Sequence, residues 1–308
     1  MNKKLALIGA GVLAGSVLLM SSVYAGIGQA PGYEAYKSAV KSTAAVENAT
    51  VRINVTVEDN GKPLIEAHST MKTDSGQRGS VDMTVSSGGE TQRVQVFHAD
   101  GKAIIKSSGS DVYRILEASG EERDWSNRGE GDDPTHDAAF AAEAEKILDA
   151  LVGNLKNDVV LKEAGDGKEI SAQLEGSRIP SIVNAVGSLA IREGGRDHGA
   201  EPASAPADPF GLNFRSLKQC LPKLTQDIRI DAVHLRADVD ADNRITNQTV
   251  EIRISGKDAQ GVDHLVVVNL GMGFSDFNGT VPDAVDLTGK PTEIVEPSAE
   301  RFDGWHKR

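Results

Sequence analysis

Thr50-Val-Arg-Ile-Asn-Val-Thr-Val57, then Asp59-Asn-Gly-Lys62, then Leu64-Ile-Glu-Ala-His-Ser-Thr-Met-Lys72, is the stretch that decides the fold. Thr50–Val57 alternates apolar and polar side chains, the signature of a strand with one buried and one wet face. Asn60-Gly61 accepts the positive φ values of a tight hairpin turn. Leu64–Lys72 is then the returning strand.

The same grammar continues toward the C-terminus. Strands are predicted near Gly79–Ser86, Thr91–Ala99, Lys102–Ser107 and Asp111–Leu116, with turns at Ser87-Gly88-Gly89 and Ala99-Asp100-Gly101. Glu117–Asp133 is polar and glycine-containing and reads as a loop. Pro134 to about Val152 reads as a helix with Phe140, Ala144, Ile147, Leu148 and Leu151 on one face. Lys156–Lys162 and Lys168–Leu174 form a hairpin. Pro180 opens a helix to about Ile191, with Ile182, Val183, Val186, Leu189 and Ala190 on one side. Residues 192–210, rich in glycine and proline, read as a flexible insertion. Lys223–Asp238, Ile245–Ser255 and Asp263–Phe274 are three long strands, and 276–308 is a tail with little periodicity. Toward the N-terminus, Pro31–Val46 spaces Tyr33, Tyr36, Lys37, Val40 and Ala44 as a helix.

About eleven strands and three helices follow, in an order that contains no βαβ unit. The expected class is α+β, with the strands in one long antiparallel sheet. Residues 26–275 are read as a single domain.

Residues 1–25 read as a secretory signal. Lys3 and Lys4 form the positive n-region, Leu5–Met20 the apolar run, and Val23 and Ala25 the small residues before the cut. The run is about 16 residues, short of the roughly 20 that span a bilayer. No cysteine stands near the junction to carry a lipid. The expectation is an extracytoplasmic protein, in contact with the membrane only if the signal is retained. The one cysteine, Cys220, is expected to be a small buried hydrophobe.

The chain has 33 basic and 45 acidic residues, and loss of Lys3 and Lys4 takes the net charge from −12 to −14. That field repels nucleic acid and anionic lipid head groups, and no nucleic-acid partner is expected. Aromatic residues, 4% of the chain, are too few for an aromatic-lined carbohydrate or base-stacking surface.

Asp231-Ala-Val-His-Leu-Arg-Ala-Asp-Val-Asp-Ala-Asp-Asn-Arg-Ile-Thr246 ends a strand in an acidic turn and opens the next with Ile-Thr. With the order of elements from Tyr33 to Phe274, it resembles the lipoprotein-carrier family of LolA, LolB and their mycobacterial lipid-binding relatives. The resemblance implies a long, curved antiparallel sheet forming an incomplete barrel, helices packed on or plugging its apolar concave face, and a lipid or lipoprotein cargo. Asp59-Asn-Gly-Lys62 and Arg178-Ile-Pro180 are also similar in placement to exported proteins of Gram-positive bacteria. Independently, a strongly curved sheet of this length needs helices or a ligand to fill its inside. Phe140, Ile147, Leu148, Leu151, Ile182, Val183, Val186 and Leu189 are the candidate lining, and ordinary core is the competing reading of the same residues.

Asp238, Asp240 and Asp242 are spaced like positions 1, 3 and 5 of a calcium loop. Asn243 stands where that loop needs Gly, and Thr249 where it needs Glu. A solvated hairpin turn is the competing reading. The histidines are scattered, with no i, i+4 pair, and no nucleophile motif or phosphate loop is present. No cofactor is expected, and a hydrolase is the weakest reading. The expectation is a monomeric, non-enzymatic envelope protein that binds an apolar ligand or another envelope protein. The alternative is a structural or sensory interaction module with a filled core.

Overall fold

The computed structural model describes residues 30–76, 78–117, 153–194, 217 and 219–295. The predicted signal, the predicted helix 134–152 and most of the predicted insertion 192–210 lie outside them. The described elements are helix α1 (Pro31–Ala44), strands β1 (Ala49–Asp59), β2 (Lys62–Thr73), β3 (Gly79–Ser87), β4 (Glu90–Ala99), β5 (Lys102–Ser107) and β6 (Tyr113–Glu117), then β7 (Val159–Ala164) and β8 (Gly167–Glu175), helix α2 (Ser181–Gly194), and strands β9 (Gln226–Val239), β10 (Ile245–Lys257), β11 (Asp263–Ser275) and β12 (Thr292–Ile294).

All twelve strands form one open sheet in the order β12-β6-β5-β4-β3-β2-β1-β11-β10-β9-β8-β7. Two antiparallel meanders, β1–β6 and β7–β11, meet where β1 pairs with β11, for example Val55 opposite Leu270. The class is α+β, as the sequence implies. Two details differ from that reading. The tail contributes a twelfth strand, and β12 runs parallel to β6. Periodicity could not reveal a strand of three residues. It is reached by a chain that crosses the ends of β1–β3, where Thr280 Oγ1 lies 2.9 Å from Thr50 Oγ1 and Asp283 accepts from Lys72 Nζ at 2.7 Å.

The hairpin chemistry is as read. Asn60 and Gly61 have φ of 50° and 76°, and Asp100-Gly101 repeats the sign pattern. Such turns match the right-handed twist of the flanking strands. They also lock the register, and the register sorts the side chains. One cross-strand row runs Ala172, Leu235, Val250, Leu270, Val55, Ala67 and Val85. The neighbouring row, one residue along, runs Ser171, Arg236, Thr249, Gly271, Asn54 and His68. Because successive side chains point to opposite faces, the sheet has one aliphatic and one polar face.

Helix α1 packs on the aliphatic face over β7, β8 and β10. Its buried stripe is Tyr33, Tyr36, Ala39 and Val40; Ala44, expected in it, is exposed. Tyr36, Ala39 and Val40 close over Ile170, Leu235, Ala237, Val239 and Ile245. Further along the face, Val57, Leu224 and Val266 form a second cluster, joined by Ile191 of α2.

Candidate functional site

Of the eight predicted lining residues, Phe140, Ile147, Leu148 and Leu151 lie outside the described residues, as do the side chains of Ile182 and Val186. Val183 is half-buried, and Leu189 is 54% exposed. Gly187 and Asn184 of α2 both meet Ile230 on β9. A Cβ on Gly187 would lie 2.5 Å from Ile230 Cδ1, so the helix sits close on β9 at that point. Asn184 Oδ1 accepts the Ile230 N–H at 2.7 Å. A small residue inside an otherwise aliphatic helix was the available signal of that close approach.

Beyond the helices, Val94 and Ile105 form a cluster with Met83, Val96 and Leu116. Among the described residues this cluster consists of strand side chains from β3–β6 alone. The aliphatic face thus continues from the α1 end across β11, β1 and β2 to β6.

The opposite face carries a groove of about 530 Å³. Its floor is two adjacent cross-strand rows: Ser171, Arg236, Thr249, Gly271 and Asn54, then Gln173, His234, Glu251, Asn269 and Thr56. Gly271 leaves the middle open, because the nearest atoms to a Cβ placed there are those of Asn54 at 3.9 Å. Comparison with protein-family models and with curated proteins finds no match to this chain.

The acidic turn is tied to protein groups. Asp240 Oδ1 accepts the Arg244 N–H at 2.7 Å, and its Oδ2 accepts Arg244 Nε at 2.9 Å. Asp242 also pairs with the Arg244 guanidinium. Asp238 faces Arg236 at 3.4 Å. Asn243, at φ 61°, donates through Nδ2 to Ser38 Oγ at 2.9 Å, and the Ile245 N–H donates to Thr43 Oγ1 at 2.7 Å. The turn thereby anchors α1. Among the described residues no three His, Cys, Asp or Glu side chains gather to hold a metal ion.

Two histidine sites were invisible in the sequence. His264 Nδ1 lies 2.7 Å from Asp59 Oδ2, and its Nε2 lies 3.6 Å from Asp258 Oδ2. Its hydrogen bond to Asp59 is the main cause that raises the imidazole pKa above the usual histidine value. Three backbone and imidazole partners, with the Val262 N–H first, hold the Asp258 carboxyl below the ordinary range. His234 bridges Glu175, at 2.7 Å, and Glu251, at 3.5 Å. Cys220, expected to be buried, is half-buried.

Proposed function

We propose that the chain is an exported, non-enzymatic binding protein of the cell envelope that holds an apolar ligand against the aliphatic face of its sheet. One observation carries this reading. The sheet is open, its aliphatic face spans strands of both meanders, and the described helices pack chiefly on the β7–β10 end of it. The described aliphatic side chains of that face are buried or half-buried, Val85 at 7% and Met272 at 3% exposure, and burying such surface is favourable by roughly 25 cal/mol per Å², so the face suits an apolar occupant. The resemblance to the lipoprotein-carrier family and the signal-like residues 1–25 point the same way.

A second reading is an interaction module whose core is filled by its own chain. It is favoured by the deep burial of Val94 and Ile105, at 3% and 2% exposure. Fluorescence of N-phenyl-1-naphthylamine separates the two. The ligand reading predicts saturable probe binding that long-chain fatty acid or phospholipid displaces, unchanged by Gly271→Val on the opposite face. Absence of saturable binding by the folded protein favours the filled core.

A further inference from the structure

The polar groove is not needed by the apolar reading, and it has features of a site in its own right. Its volume, about 530 Å³, falls within the roughly 300–1,000 Å³ of small-molecule sites. Glycine in a strand interior is destabilising and commonly marks a place where a ligand or another backbone approaches closely. Gly271 occupies the centre of the groove, between Asn54 on β1 and Thr249 on β10. Its backbone does not lie in the region that only glycine adopts readily. A Cβ there would meet open space with Asn54 at 3.9 Å. Neither turn geometry nor crowding therefore calls for glycine at this position, whereas an open groove floor does.

The lining chemistry selects the ligand. Formal charges balance, with Lys162 and Arg236 against Glu169 and Glu251. Arg236 lies 3.0 Å and Lys162 4.0 Å from Glu169, while His234 is held by Glu175 and Glu251. Among the described residues an ion would find no unmatched countercharge there. The neutral side chains retain capacity. Thr249, Ser171 and Gln173 make no side-chain hydrogen bond among the described residues, and Asn269 uses Nδ2 on Thr56 at 3.2 Å, which leaves Oδ1. Amides and hydroxyls each offer donor and acceptor, as do the hydroxyls of a sugar.

We infer that this groove is a second binding site, for a neutral polyhydroxylated ligand of the saccharide class. Among the described residues no aromatic ring lines it to stack on a pyranose face. Each hydrogen bond replaces one to water and contributes little net, so a single site binds weakly, with a dissociation constant on the order of 1 mM. A polymer with repeated units would gain by multivalency.

Backbone-amide NMR of the full chain, titrated separately with maltotetraose, N-acetylated chitotetraose and inorganic phosphate up to about 20 mM, tests the site. The expected result is saturable shifts at Asn54, Thr249 and Asn269 with at least one of the sugars and none with phosphate. Gly271→Val should abolish those shifts while melting at or above the wild-type temperature, because valine favours a strand and has room there. Absence of saturable shifts with both sugars overturns the inference. So do shifts driven by phosphate, or sugar shifts that survive in Gly271→Val.

Discussion

Tyr36 Oη donates a 2.9 Å hydrogen bond to Gln248 Oε1, and both side chains are only 2% exposed. The bond joins α1 to β10 within an otherwise aliphatic layer. Burial pushes the Tyr36 hydroxyl pKa far above its usual value, so it remains a donor. Gln248 Nε2 has no partner among the described residues. Tyr36→Phe would leave the whole buried amide unpaired, at a cost of about 1–3 kcal/mol. Tyr36→Phe combined with Gln248→Leu should cost less than the sum of the two single changes. A denaturation double-mutant cycle reads the difference, and strict additivity would show that the two groups do not depend on each other.

Gly32 tests the seating of the same helix. A Cβ there would lie 2.2 Å from the backbone oxygen of Val159. Helix propensity alone favours Gly→Ala by about 1 kcal/mol. Overpacking of about 1–3 kcal/mol opposes it, and backbone cannot swing aside as a side-chain tip can. Gly32→Ala should therefore lower the melting temperature. A stabilised variant would mean that α1 is not held against β7 as described.

His264 gives a pH-dependent contribution. Its folded pKa is raised, chiefly by the hydrogen bond to Asp59. The stabilisation is therefore fully present below the unfolded histidine pKa of about 6.5 and is lost as pH rises through the folded value. The carboxylates facing the ring are Asp59 and Asp258; Lys257 and Asp263 flank them in sequence. The melting-temperature deficit of His264→Gln should be larger at pH 6 than at pH 9. An equal deficit at both, or a larger one at pH 9, would contradict the pairing.

Arg244 already occupies two carboxylates of the acidic turn, and its guanidinium also lies 4.6 Å from the Phe277 ring centre. Millimolar calcium should therefore leave the melting temperature of the wild-type chain unchanged. Arg244→Ala should lower it through lost packing and pairing. A rise of several degrees with calcium in the wild-type chain would show that the carboxylates exchange the guanidinium for the ion.

How much of this was legible depends on sequence distance. Asn60-Gly61 and Asp100-Gly101 announce their hairpins because the turns need positive φ, and the alternation of Thr50–Val57 announces its two faces. Nothing local announces that Val55 pairs with Leu270, or that Asp59 meets His264 across 205 positions. The spacing of Asp238, Asp240 and Asp242 fits calcium and turn equally well. Only the docking of Asn243 on Ser38 and of Ile245 on Thr43 reveals a helix anchor. In α2 the aliphatic side chains drew attention, while Gly187 and Asn184 make the close contacts with Ile230.

The most direct test of the central claim is native mass spectrometry of the protein purified from its own host, before and after organic extraction. The account predicts a bound apolar species that extraction removes, leaving the protein at its polypeptide mass. A single species at the polypeptide mass before extraction, with no lipid in the organic phase, would contradict it.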